Sequence, residues 1–174
     1  MDSHYDQVQH ARALAANQPA KLYFAYSTIL DRAAFEEWRA QHSYEFFNLP
    51  EGQIAEALDV DFVFDFQSRW WGGRVAGLAD KPGASIWGLL FEIPGGDWPI
   101  IQHKEGAITN MCVEREVRVR VDGVEHNALA FTTNPARAND IGPVSEKFLE
   151  ALLRGAQSAN LPADYLTRLK AQIG

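Results

Sequence analysis

The sequence predicts an α+β fold in one domain spanning residues 1–174, and three observations support this prediction. The stretches 60–67 and 112–121 alternate in side-chain character with the period of two that strands have. Predicted elements follow the order helix, strand, helix, several strands including a hairpin, and two final helices, which is typical of α+β proteins. No linker or internal repeat divides the 174 residues, a length that fits one domain with a substantial core.

The N-terminal third begins with a helix, in which apolar side chains recur at helical spacing over 4–17. Residues 21–26 are a short, aromatic-rich apolar run and predict a strand. Asp31 stands where it can cap the N-terminus of a helix over 32–41. A second, weaker helix is predicted over 51–57.

The middle of the chain predicts strands. Residues 60–67 place three phenylalanines on one face of a strand, and the glycine pair after Trp71 predicts a bend. Residues 85–93 are almost continuously apolar and predict a central strand covered on both faces. A turn and a short helix near 97–104 follow.

The C-terminal part predicts a hairpin and two helices. Residues 112–121 alternate, with four valines on one face: Val113, Val117, Val119 and Val121. The Asp-Gly pair that follows is a strong signal for a two-residue hairpin, and the strand returns over 124–133. Helical segments over 145–159 and 163–172 end the chain.

Composition excludes several classes of function. The formal net charge of −7, without a long run of one sign, disfavours binding to nucleic acid or to an anionic membrane. No apolar run is long enough to cross a bilayer, and the polar N-terminus lacks the apolar core of a signal peptide. Cys112 is the single cysteine, so neither an internal disulfide nor a multi-cysteine metal site can form. We expect a cytoplasmic protein.

Without a family frame, the chemistry-bearing residues each allow two interpretations. His103 and Glu105 could be metal ligands, but polar side chains around a surface turn explain them more simply. Cys112, in an alternating strand, is more often a small buried apolar residue than a nucleophile. The pair Trp70 and Trp71 could stack on a ligand, although core packing is the commoner use of such residues. No nucleophile elbow, phosphate loop or dinucleotide-binding motif occurs.

Read in order, five segments resemble the γ-glutamylcyclotransferase-like (AIG2-like) family. The family motifs are a YFAYGSN(L/M) loop, an F…S…WGG…VA pattern, a VWG(V/L)LYEI strand, an acidic EG(V/A) signature, and a final GA…LP…Y…L pattern. Their matches here are Tyr23–Leu30, Phe66–Ala76, Ile86–Ile93, Glu105–Ala107 and Gly155–Leu169. The resemblance therefore covers nearly the whole chain and implies a mixed, barrel-like β-sheet with flanking helices.

The resemblance also implies an activity and a site. The implied reaction is the cofactor-independent and metal-independent cyclisation of a γ-glutamyl amide, which releases 5-oxoproline and an amine. Glu105 occupies the family position of the acid–base carboxylate. The implied partner is a small γ-glutamyl compound, and both a monomer and a homodimer remain open. The implied substrate-binding loop contains Tyr26, Ser27, Thr28, Ile29 and Leu30.

Three positions depart from the family pattern. Ser27 replaces a glycine and Ile29 an asparagine, while Cys112 stands where many members have a pocket tyrosine. Together with Trp71 and Gly72, Cys112 is predicted to line the pocket. Because these changes concern ligand recognition and Glu105 is retained, they indicate a non-standard substrate. A non-catalytic member that binds a small amino-acid-like ligand is the alternative.

Overall fold

The chain forms a closed barrel of five strands with flanking helices, seen in a computed structural model that describes residues 4–173. The strands are β1 Lys21–Ala25, β2 Gln53–Ser68, β3 Gly73–Ile93, β4 Cys112–Val121 and β5 Val124–Thr133. The helices are α1 Tyr5–Ala15, α2 Arg32–Gln41, α3 Trp98–Lys104, α4 Glu146–Ser158 and α5 Ala163–Ile173. The predicted α+β class with a barrel-like sheet is confirmed.

The barrel has the strand order β1-β3-β2-β4-β5 and closes between β5 and β1. All neighbours are antiparallel except this closing pair, which is parallel and registers only Tyr23 with Leu129. Strand β3 lies between β1 and β2, since Leu90 pairs with Phe24 on one side and Gln53 on the other. The predicted central position of 85–93 is therefore confirmed.

The predicted helix over 51–57 is wrong, because most of this segment belongs to β2. Ala55 and Ala57 are fully buried, whereas Ile54 is exposed, so the burial has the period of a strand. Ala57 is paired on both sides, with β3 and with β4. Helix propensities differ by less than about 1 kcal/mol per residue, and hydrogen bonding to two neighbouring strands outweighs them.

Strand β2 contains a register shift that the alternation of 60–67 does not reveal. Phe64 pairs with β3 in register, but the next paired residue is Phe66, which leaves Asp65 as the extra residue of a bulge. Bulges redirect side chains and are frequent near functional sites. The predicted bend after β2 is confirmed as a tight turn in which Gly72 has a φ of +70°.

The β4–β5 hairpin matches its prediction. Asp122 and Gly123 have φ angles of 49° and 79°, the left-handed pair that a type I′ turn requires. Of the four valines predicted to share a buried face, three are buried, but Val113 is exposed because it lies near the open end of the strand pair.

The helices begin and end close to their predicted bounds. The Asp31 side chain accepts a hydrogen bond from the Ala34 amide at 3.3 Å and so caps α2 as expected. Helix α4 packs behind the loop after β1, where a Cβ on Gly155 would lie 3.1 Å from Leu30 Cβ. None of the described helices combines the length and apolarity needed to span a bilayer.

Candidate active site

A narrow crevice lies at the barrel seam, where β1 and β5 separate beyond their single registered pair. The side chains pack so closely that no water-sized sphere fits inside it. Its lining comes from β1, the loop after β1, the end of α3 and β5: Tyr23, Phe24, Ala25, Tyr26, Ser27, Glu105 and Phe131. The proposed acid–base residue and the first two residues of the predicted binding loop thus line one crevice.

Glu105 reaches the crevice because α3 ends there. Its amide donates to the Ile101 carbonyl at 2.9 Å, and Gly106 then reverses the chain with a φ of +80°. The Glu105 side chain is half-buried, and the Tyr23 hydroxyl donates a hydrogen bond to its Oε1 atom. Tyr23 is itself held among the rings of Phe91, Trp98 and Phe131. The carboxylate is therefore fixed by a rigid partner.

The electrostatics of the crevice favour the protonated form of Glu105. Burial raises the pKa of this carboxyl group, while the Lys104 ammonium and the Tyr23 hydrogen bond lower it by smaller amounts. Burial and the neighbouring Glu105 also raise the pKa of Tyr23 well above its ordinary value, so Tyr23 remains a donor at neutral pH. A carboxyl group with a raised pKa in a crevice can both accept and return a proton.

Tyr26 is both a core aromatic and a crevice residue. Its side chain is buried against Phe24 and Phe62, with ring centroids 6.3 and 6.1 Å away. Its hydroxyl donates to the Phe131 carbonyl, and this bond ties the end of β1 to β5 across the seam. Tyr26 therefore packs in the core and also lines the crevice.

The residues of the predicted binding loop lie in three different environments: the crevice, a neighbouring groove and the core. Ser27 lines the crevice with an ordinary φ of −118°, so the loop needs no glycine there. Thr28 opens a 3-10 turn and faces a neighbouring groove. Ile29 and Leu30 are buried in the core, which leaves only their backbone groups for ligand binding. The replacement of asparagine by Ile29 is accommodated because that side chain packs inward.

Cys112 lines neither the crevice nor the neighbouring groove, but it follows the turn that carries Glu105. Its amide donates to the Gly106 carbonyl at 3.3 Å, directly after the Glu105 turn. Burial, followed by the charges of Glu105 and Asp65, raises the pKa of the half-buried thiol to about 12. The thiol is therefore protonated at neutral pH, which disfavours a nucleophilic role.

Asp65 is a second carboxylate near this site, and the sequence reading missed it. Its Oδ1 atom accepts a hydrogen bond from the Thr133 hydroxyl at 2.7 Å, and Thr133 pairs with Cys112 across the β4–β5 ladder. The only sequence signal for Asp65 was its polar side chain within an aromatic strand. The direction in which this side chain points depends on the bulge, which the sequence did not reveal.

A groove of about 490 Å³ is lined by Thr28 and Lys104, the chain neighbours of the crevice residues Ser27 and Glu105. Trp71 lines it and packs edge-on against Phe148, at 5.7 Å between ring centroids, whereas Trp70 is 77% exposed. The core-packing interpretation is therefore wrong for Trp70. Gly72 is exposed and forms the turn that carries both tryptophans, but it does not line the groove.

His103 is not a surface residue at a turn, contrary to the simpler interpretation. It is half-buried, and its Nδ1 atom lies 2.8 Å from the Tyr44 hydroxyl. Its ring also lies 5.2 Å from that of His42 and 5.6 Å from that of His4. Among residues 4–173, no group of three or more His, Cys, Asp or Glu side chains could hold a metal ion.

Several solved structures share this fold. A structure described as a γ-glutamyl cyclotransferase superposes with a TM-score of 0.69 at 22% identity, covering 87% of both chains. An uncharacterized protein from Homo sapiens gives a TM-score of 0.73 at 22% identity and 88% of both chains. YkqA from Bacillus subtilis gives 0.71 at 19% identity, over 95% of this chain and 58% of that one. The fold is that of the γ-glutamyl cyclotransferases.

Sequence comparison finds similarity to one family over about half of the chain. The model of the AIG2-like family matches residues 85–169. The γ-glutamylcyclotransferase of Homo sapiens is 29% identical over 119 residues, and that of Mus musculus is 27% identical over 119 residues. Each match spans 64% of this chain and 61% of the relative. The predicted resemblance to the AIG2-like, γ-glutamylcyclotransferase-like family is confirmed.

Proposed function

We propose that the protein is a cyclotransferase that cleaves a γ-glutamyl amide and releases 5-oxoproline and an amine. The observation that carries the proposal is the position of Glu105, a half-buried carboxyl group with a raised pKa, across a crevice from Tyr26 and Ser27. The names of the sequence relatives support the same reaction class.

The α-amine loses two protons as it becomes the ring nitrogen, and the departing nitrogen gains them. The substrate's α-ammonium loses the first proton to the Glu105 carboxylate, and the freed amine attacks the γ-carbonyl carbon to close a five-membered ring. As the amide C–N bond breaks, Glu105 gives this proton to the departing nitrogen. Glu105 then takes the second proton from the ring nitrogen and passes it to the released amine, which leaves as an ammonium. The ring closure is intramolecular, so holding the glutamyl group in a folded conformation lowers the barrier. These steps need no cofactor.

The surrounding groups have separate tasks in this scheme. Tyr23 holds the carboxylate in one orientation through its hydroxyl. The first N–H groups of the 3-10 turn Thr28–Leu30 have no partners within the turn, and they would bind the α-carboxylate or the developing oxyanion. Ser27 adds a hydroxyl on the same side of the crevice.

A panel of γ-glutamyl amides with different amine portions tests the proposal. The purified protein should release 5-oxoproline from at least one of them, and Glu105→Gln should abolish this release. Absence of 5-oxoproline from the whole panel, or equal release by the variant, would contradict the proposal.

One observation favours a second candidate, a non-catalytic module that binds a small amino-acid-like ligand. The crevice is narrow, and the Tyr23 hydroxyl already occupies one oxygen of Glu105. Under this alternative, the protein binds γ-glutamyl compounds with dissociation constants that calorimetry can measure, and the compounds are recovered intact after long incubation. Recovery of 5-oxoproline would exclude it.

A further inference from the structure

The groove beside the crevice contains two features that the proposed reaction does not use. Trp70 exposes 77% of its surface at the groove edge, next to the half-buried Trp71. Lys104 is half-buried, and its ammonium has no carboxylate within 4 Å among the described residues. Both features are typical of a surface that a ligand covers.

The groove and the crevice are continuous along the chain. Ser27 lines the crevice and Thr28 lines the groove, while Glu105 lines the crevice and Lys104 lines the groove. Two pairs of adjacent residues therefore separate the two spaces by the width of one residue along the chain. A γ-glutamyl compound with its glutamyl end at Glu105 would direct its amine portion into the groove.

Ammonium groups lie over aromatic rings in the groove. The Lys147 ammonium lies 5.2 Å from the ring centroid of Trp70 and 5.4 Å from that of Trp71. The Lys104 ammonium lies 5.7 Å from the centroid of Trp38, which also lines the groove. Rings of this kind favour a flat apolar group through stacking and edge contacts.

Two of the three cationic side chains of the groove have no ion pair among the described residues, so they could bind an anion. Arg154 is paired with Asp31 at 3.1 Å, so those two charges offset each other. Glu37 accepts a hydrogen bond from Gln41, and Glu150 is the remaining acidic side chain. Lys104 and Lys147 have no such ion pair among the described residues. Burial also lowers the pKa of Lys104, as expected for an ammonium partly removed from water.

We propose that the groove binds the amine portion of the substrate, and that this portion is an aromatic amino acid. Its ring would lie against Trp70 and Trp71, and its carboxylate would pair with Lys104 and Lys147. This inference rests on the proposed function, because it takes the glutamyl group to lie at Glu105.

Four ligands separate the contribution of the ring from that of the carboxylate. They are γ-glutamyl-phenylalanine, γ-glutamyl-alanine, γ-glutamyl-phenethylamine and γ-glutamyl-ethylamine. Calorimetry on Glu105→Gln, in which turnover is blocked, gives their dissociation constants. We expect the ring and the carboxylate each to tighten binding by about tenfold. The wild-type kcat/KM for 5-oxoproline release should follow the same order.

Groove variants assign each contribution, and all are made in the Glu105→Gln background. Trp70→Ala should remove most of the advantage of the ring, whereas Phe46→Ala, another exposed aromatic, should leave it intact. Lys104→Met and Lys147→Met should each reduce the advantage of the carboxylate, whereas Lys170→Met on α5 should not.

Each outcome has a defined meaning. Two pairs of ligands differ only in the ring: the phenylalanine and alanine compounds, and the phenethylamine and ethylamine compounds. Dissociation constants that differ by less than about threefold within these pairs, or no binding of any ligand, would overturn the inference. Selective binding of the aromatic compounds without any 5-oxoproline would support the groove assignment and contradict the proposed function. Turnover that is equal for phenylalanine and alanine derivatives would leave the proposed function standing and overturn the inference.

Discussion

At the scale of the residue, the pKa of Glu105 results from two opposing influences of its surroundings. Burial favours its neutral form, while Lys104 and the Tyr23 hydroxyl favour the carboxylate, and burial is the larger effect. Tyr23 is a suitable partner because burial and the charge of Glu105 keep its own hydroxyl protonated. The pair thus provides an acid–base group whose position is fixed.

Tyr23→Phe tests this balance through the pH dependence of activity. The Tyr23 hydrogen bond stabilises the charged carboxylate, so its removal should raise the pKa of Glu105 further. Because the deprotonated form accepts the first proton, the acidic limb of the kcat/KM profile should move to higher pH. Tyr165→Phe on α5 is the control and should leave the limb in place. An unchanged limb in Tyr23→Phe would contradict the assigned role.

Glu105→Gln tests the same balance through stability. A carboxyl group whose pKa is raised by folding stabilises the protein at low pH, and this contribution is lost as the pH rises through the raised value. Glutamine carries no charge at any pH. The variant should therefore be more stable relative to wild type at about pH 8 than at about pH 4. In other words, the free energy of unfolding of the variant minus that of wild type should be larger at the higher pH. Urea titration at both pH values measures the difference, and a flat or opposite trend would contradict it.

At the scale of the element, local patterns predicted most of the secondary structure. The Asp-Gly turn determined the β4–β5 hairpin because few residues adopt two consecutive left-handed conformations. The segment 51–57 was predicted wrongly, since its alanines suit both a helix and the tight interior of a small barrel. Only its pairing with both β3 and β4 decides between the two, and that pairing involves residues distant in sequence.

Asp31 connects the loop after β1 to two helices, and its replacement should affect stability. It caps α2 through the Ala34 amide and pairs with Arg154 of α4. Asp31→Ala should lower the free energy of unfolding by about 1 kcal/mol, mostly through the lost cap. Arg154→Gln, which removes only an ion pair with a largely exposed arginine, should cost less. Urea titration of both variants checks this order, and equal losses would contradict the capping role.

At the scale of the whole molecule, the candidate site depends on how the barrel closes. The family motifs predicted Glu105 and the loop at 26–30, but nothing local in the sequence places them together. They meet because β1 and β5 share one registered pair and then separate, leaving the crevice that the end of α3 reaches. Asp65 and Lys104 were not predicted, because a bulge and a neighbouring groove determine their positions.

Gly88 tests the close approach of β1 to β3, on which barrel closure depends. A Cβ at this position would lie 2.1 Å from the Ala25 carbonyl oxygen, a backbone atom that cannot move alone. Gly88→Ala should therefore cost about 3 kcal/mol or more in the free energy of unfolding. Gly96→Ala, whose Cβ would lie 3.4 Å from its nearest neighbour, is the matched control and should cost much less. Similar losses in both variants would contradict this account of closure.

The most direct test of the central claim compares two carboxylates in one assay. Wild type, Glu105→Gln and Glu116→Gln, an exposed glutamate on β4, are incubated with the γ-glutamyl compound that wild type converts best, and 5-oxoproline is measured. If Glu105 transfers the protons, Glu105→Gln should lower kcat by about 10²- to 10⁴-fold, and Glu116→Gln should retain wild-type activity. Equal kcat values for wild type and Glu105→Gln would contradict the assignment of Glu105 as the acid–base residue.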